Sequence, residues 1–201
     1  MGDENKSKPL VLVPGCLTLA DLRYLAAPDA RLELAPESYR AVDKTSGLVR
    51  EIVASGTRTY GVNTGVGTLS DRSIASEDVA ELQRRLILSN AAGTGPLLPD
   101  RVVRWMLALK INVLATGVSG VRRELIDALV GLFNSGLVPG VPSKGSVGAS
   151  GDLAPLAHMA ATLIGEGELR RNGISEPAKA ALDAAGIPLF QFAAKEGLAM
   201  A

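Results

Sequence analysis

Apolar residues along the chain fall either in short runs bounded by Gly and Pro or in longer segments where they recur every three or four positions. The run LVLVPG at 10–15 and the alternating stretch RLELAP at 31–36 read as strands. Between them Thr18-Leu19-Ala20-Asp21 opens a short helix. A second helix is predicted from Glu37 to Ala54, stopped by Ser55-Gly56. The segment TRTYGVNTGVGTLS at 57–70 holds three glycines and no lasting period, so it reads as a loop.

Helical spacing then takes over. Ser76 is the expected N-cap of a helix with Glu77 and Asp78 in its first turn and Val79, Leu82 and Leu86 on one face. Gly93 and Gly95 end it, and Pro99 starts the next. There Val102, Met106, Leu109 and Val113 form one apolar stripe, and Val103, Leu107 and Leu114 form another. A helix apolar on two sides is expected to be buried in a bundle or an oligomer. Leu125, Leu129, Leu132 and Phe133 mark a further helix closing at Gly136, followed by a Gly-rich loop over 140–151. Leu153, Leu156, Ala160 and Leu163 mark another, running to Gly165. GELRRNGI at 167–174 predicts a hairpin turning at Asn172-Gly173, and Ser175 reads as the cap of one more helix before Gly186 and Pro188. The fold class is mainly α, a helical bundle with a small N-terminal α+β portion.

Composition narrows the function classes. The 201 residues suit one domain with a substantial core, and 21 basic residues balance 21 acidic ones. No basic stripe points to nucleic acid or an anionic membrane, and aromatics at 3% leave few stacking platforms for bases. Cys16 is the sole cysteine, so no disulfide forms within the chain and a reducing compartment is the easier reading. The N-terminus MGDENKSKP is polar before it turns apolar, the wrong order for a secretory signal, and residues 1–8 read as disordered. No apolar run approaches the roughly 20 residues of a spanning helix. A cytoplasmic protein without nucleic-acid or membrane partners is expected. The last eight residues, AKEGLAMA, lack a cap and a polar tail, which predicts that the chain stops inside a structural element.

The chemistry concentrates in GSVGASGDLAPLAH at 145–158, which holds Ser150, Asp152 and the only histidine, His158. These are the residue types of a hydrolytic triad. If Asp152 starts a helix, however, His158 lies some 9 Å along the axis at about 1.5 Å per residue, out of reach of Ser150. The segment also fits neither phosphate-binding glycine pattern, and an acidic residue stands where the phosphate would sit. Asp152 as an N-cap, with Pro155 in the first turn, explains the helix start but not the Ala-Ser-Gly before it. A backbone reaction does. In a sharp turn the Gly151 nitrogen approaches the Ala149 carbonyl carbon, which a Cβ on residue 151 would obstruct. Loss of one water closes a five-membered ring. Loss of a second across Ser150 Cα–Cβ leaves an exocyclic methylidene, an electrophile that no unmodified side chain provides.

These residues carry a family resemblance. GSVGASGDLAPLAHM resembles the cofactor-forming segment of the histidine and aromatic amino acid ammonia-lyases, TYGVNTGVG (59–67) their tyrosine loop, and LQRRLILSNAAGTG (82–95) their substrate-pocket helix. The resemblance runs from about residue 10 to the end and implies the N-terminal part of that fold over 9–201, without the C-terminal helical part. It implies that Ala149, Ser150 and Gly151 form 4-methylidene-imidazol-5-one (MIO) with no metal, and that Asp152 orients the backbone during cyclisation. It assigns to Tyr60 removal of the substrate β-proton. Free tyrosine has a pKa of about 10, so that role demands surroundings that favour phenolate. Gly67 falls at a backbone position near the substrate, and Ser89 and Asn90 at the pair that selects the substrate side chain.

Histidine lyases resemble this sequence with Ser-His at that pair, whereas tyrosine and phenylalanine lyases usually have His or Phe with Leu; this chain has Ser-Asn. Val66 stands where phenylalanine is frequent, and Lys195 and Glu196 also match. The implied activity is elimination of ammonia from L-histidine or a related aromatic L-amino acid, in a homotetramer. The alternatives are a 2,3-aminomutase, or a half of a split lyase that needs a C-terminal partner chain.

Overall fold

The computed structural model describes residues 8–148 and 151–201. Strands β1 (Leu10–Leu12) and β2 (Leu32–Leu34) pair in parallel, with Leu12 opposite Leu34 and both side chains buried. Helix α1 (Leu19–Leu25) connects them. A reciprocal capping box fixes its start: Thr18 Oγ1 accepts from the Asp21 N–H at 3.2 Å, and the Asp21 carboxylate accepts from the Thr18 N–H at 2.8 Å. Such a cap is worth about 1 kcal/mol.

The 3-10 turn Pro36–Ser38 leads into α2 (Tyr39–Ser55), which begins two residues later than predicted. Another 3-10 turn, Ser76–Asp78, precedes α3 (Val79–Asn90), so Ser76 is not the N-cap of the α-helix. Asp78 holds that place and makes no side-chain cap bond. Then come β3 (Thr94–Leu97), α4 (Asp100–Ala115), α5 (Arg123–Asn134), β4 (Val138–Pro139), β5 (Pro142–Lys144) and α6 (Leu153–Leu163). The chain finishes with β6 (Glu168–Arg171), β7 (Ile174–Pro177), α7 (Ala178–Ala184) and α8 (Glu196–Met200).

Two further expectations are corrected. Part of the 140–151 loop is strand, since β5 pairs antiparallel with β3, Thr94 opposite Lys144. Ser175 caps no helix; it lies in β7 opposite Arg170, and Pro177 takes the cap position of α7. The β6–β7 hairpin does turn at Asn172-Gly173, both with positive φ (52° and 79°), the geometry that matches strand twist.

The core forms where one stripe of α4, Val103, Leu107, Ile111 and Leu114, meets Leu125 and Leu129 of α5 and Met159 of α6. The other stripe stays largely open: Leu109 and Val113 are 43% and 52% exposed. One side of α4 is thus covered by the described residues and the other is not. Among the described residues no helix is long and apolar enough to cross a membrane.

Arg104 lies inside this core at 2% exposure. Its guanidinium sits 4.0 Å from the Phe133 ring centroid and donates to the carbonyls of Leu25 (3.1 Å), Ala30 (2.8 Å) and Phe133 (3.5 Å). Those carbonyls end α1, precede β2 and lie in α5, so one side chain fastens the strand pair to the bundle. Arg104→Met should remove about 2–4 kcal/mol of stability, because three inward carbonyls lose a charged donor, and urea unfolding followed by circular dichroism measures it.

Candidate active site

The loop after α2 is organised by Asn63, whose Oδ1 accepts from the Thr59 N–H at 2.8 Å and whose Nδ2 donates to the Thr57 carbonyl at 3.0 Å. Thr64 bridges to Ser73 across the loop, and the Gly65 N–H donates to the Arg72 carbonyl at 3.0 Å. Asn63 and Thr64 are buried, which leaves Tyr60 outside at 59% exposure. Among the described residues the Tyr60 hydroxyl has one polar neighbour, the Gly67 N–H at 3.5 Å, where the 3-10 turn Gly67–Leu69 begins. The other tyrosines serve as donors. Tyr24 donates to the Lys8 carbonyl at 2.9 Å; Tyr39 donates to Asp127, and burial together with that carboxylate pushes its pKa up to about 12.

Helix α3 ends at Ser89 and Asn90. Both side chains turn back to the Leu86 carbonyl, Ser89 Oγ at 3.0 Å and Asn90 Nδ2 at 2.8 Å. Asn90 therefore uses its amide N–H locally and keeps its carbonyl oxygen as an acceptor. Three residues on, the Gly93 N–H donates to His158 Nε2 at 2.9 Å. Gly93 also lies against Gly145, where an added Cβ would stand 3.0 Å from Gly93 Cα. Together with the β3–β5 pair, this joins the end of α3 to the segment that leads into α6. No hydrogen bond among the described residues joins Tyr60 to Asn90 or to 145–152.

Ala149 and Ser150 lie outside the described residues. Gly151 is described at φ +128°, a backbone region that L side chains rarely adopt. Asp152 occupies the N-cap position of α6 but makes no side-chain cap bond, which corrects the reading of it as a simple cap. Its carboxylate stands at the positive end of the α6 dipole and lines an open apolar cavity of about 540 Å³, with Ser146, Lys110 and Leu156. Burial lowers the Lys110 pKa there. A glycine at positive φ and a carboxylate with no cap bond at the head of α6 are compatible with the cyclisation to MIO that the family resemblance implies. Among the described residues no three His, Cys, Asp or Glu gather to hold a metal ion.

His158 belongs to no triad, because its Nε2 accepts from Gly93 and its Nδ1 must then carry the proton. Nothing in the spacing of the sequence announced this contact across 65 residues. Burial lowers the imidazole pKa, so the neutral form favours the fold at neutral pH and above. That contribution shrinks as pH falls below about 6.5, where the unfolded chain binds the proton more readily. Wild type should therefore lose more stability between pH 7.5 and 5 than His158→Gln does, as read by urea unfolding at both pH values.

The end of α3 meets the head of α6 here within a helical fold shared by solved enzymes. Ergothionase from Treponema denticola, an ergothioneine-degrading enzyme, superposes with a TM-score of 0.91 and 30% identity over 96% of this chain and 39% of its own. Tyrosine aminomutase from Streptomyces globisporus does so with a TM-score of 0.88 and 34% identity, over 96% of this chain and 36% of its own. In sequence the chain is 48% identical over 191 residues to the histidine ammonia-lyase of Shewanella pealeana, covering 95% of this chain. It belongs to the aromatic amino acid lyase family, whose profile matches residues 17–201. The chain spans 38% of the length of the Shewanella enzyme.

Proposed function

We propose that this chain supplies the N-terminal, cofactor-forming part of an MIO-dependent ammonia-lyase that takes L-histidine or a related aromatic L-amino acid to the α,β-unsaturated acid and ammonia. The observation that carries the reading is Gly151, last of the sequence Ala-Ser-Gly, at φ +128° just before α6, with the Asn90 end of α3 fastened to α6 through Gly93 and His158. When formed, MIO supplies the electrophile that makes the substrate amine a leaving group. Tyr60 takes the β-proton onto its phenolic oxygen, and the freed electron pair forms the Cα=Cβ bond as ammonia departs with the C–N pair. The Gly67 N–H faces that oxygen as a donor. Asn90, with Ser89 beside it, offers a carbonyl acceptor to a side chain bearing an N–H, imidazole among them. Asp152 orients the backbone at the head of α6. The assembly is a cytoplasmic homotetramer, or this chain with a C-terminal partner chain.

Intact mass tests the reading. A chain lighter than its sequence by two waters, inactivated by borohydride and forming an unsaturated acid, is the expected result. Full mass with activity indifferent to borohydride would refute it. The 0.88 superposition on a tyrosine aminomutase supports the second reading, return of ammonia to the β-carbon. A β-amino acid product would decide for it. The third reading is a split lyase, in which this chain works with a C-terminal partner chain. Turnover that appears only after a C-terminal chain is added would establish it, and full turnover by the isolated chain would end it.

A further inference from the structure

Helix α8 is fastened to the rest of the fold on several sides. Glu196, 1% exposed, accepts from Arg122 Nε and Nη at 2.9 and 2.8 Å and from the backbone N–H groups of Arg122 and Ala193 at 2.9 and 2.7 Å. The Ala199 carbonyl accepts from Lys110 Nζ of α4 at 3.1 Å. The Leu198 N–H donates to Oε1 of Gln83 at 3.1 Å, and Gln83 is a buried residue of α3, the helix that ends in Ser89 and Asn90. The Leu198 side chain faces the tyrosine loop. A Cβ added to Gly61 would come 2.5 Å from Leu198 Cδ2, so the loop touches α8 at the residue next to Tyr60.

Gly61 is also the turn of that loop, at φ +71°, and its N–H donates to Thr64 Oγ1 at 3.3 Å. No hydrogen bond among the described residues joins 57–66 to α3 directly. Leu198 therefore holds α3 with its backbone and the tyrosine loop with its side chain. We propose that Leu198 is the positioning residue of Tyr60, and that α8, latched by Arg122 and Glu196, sets the separation between Tyr60 and the Ser89–Asn90 helix end. The functional weight of this spacing rests on the reading of Tyr60 as the base. Reacting groups carried on separate elements need such a spacer, because small misplacements cost large factors in rate.

The test compares wild type with Leu198→Ala and Leu198→Met by hydrogen exchange on the full chain. Leu198→Ala should speed exchange of the amides at 59–66 about tenfold while α5 and α6 keep their protection, and Leu198→Met should restore the wild-type pattern. Unchanged exchange at 59–66, or an equal rise in every element, would overturn the proposal. In a preparation that turns over, kcat should fall about tenfold in Leu198→Ala with KM little changed. A wild-type chain that forms no MIO fails the functional reading alone, since the exchange pattern still decides what Leu198 holds.

Discussion

On the proposed function, Ser150→Ala should leave a chain that cannot lose two waters, and turnover should fall by at least about a thousandfold. Alanine has no hydroxyl to eliminate across Cα–Cβ, so the methylidene has no source; ring closure alone would remove one water. Mass spectrometry of the intact variant, with unsaturated acid followed by its absorbance, checks both statements. The substitution removes one oxygen from a chain whose core lies on α4, α5 and α6, so circular dichroism and urea midpoint should match wild type. An active variant would show that Ser150 is not the precursor of an electrophile.

The second large effect concerns stability. Arg122→Met should cost about 3–4 kcal/mol and Glu196→Gln about 2 kcal/mol, both read by urea unfolding. The asymmetry follows from burial: the side chains are 32% and 1% exposed. Removing the arginine strands a carboxylate in the interior with only backbone donors from residues 122 and 193. Removing the charge of Glu196 leaves a guanidinium that reaches solvent and keeps the Gln191 carbonyl at 2.7 Å and the Phe190 ring 5.3 Å from its carbon. In the Glu196→Gln variant the amide oxygen can still accept, while the new NH2 faces a donor. Equal losses in the two variants would mean that a stranded buried carboxylate is not what makes the arginine's removal costly.

Elements with long, regular apolar spacing were legible in the sequence, namely α4, α5 and α6, as were the two N-terminal strands and the helix start at Thr18. What escaped was set by partners far along the chain. β3 and β5 are short and lack a period, and each exists because the other runs beside it. Ser76 and Ser175 carry the right side chain for a cap, but Ser76 lies in a 3-10 turn and Ser175 in a hairpin strand. For the candidate site, three short motifs named Tyr60, the Ser89–Asn90 pair and the Ala-Ser-Gly segment. They carried no sign that Gly93 would meet His158, or that α8 would reach the tyrosine loop. Those contacts depend on how helices cross, which single-sequence spacing does not record.

Arg104 sets a limit on how this chain can be shortened. A version starting at α2 would lose the Leu25 and Ala30 carbonyls and leave the guanidinium with the Phe133 carbonyl and ring alone among the partners named above. Trimming the N-terminal strands should therefore cost less stability with a simultaneous change at position 104 than without it, so the first 35 residues and the bundle act as one folding unit.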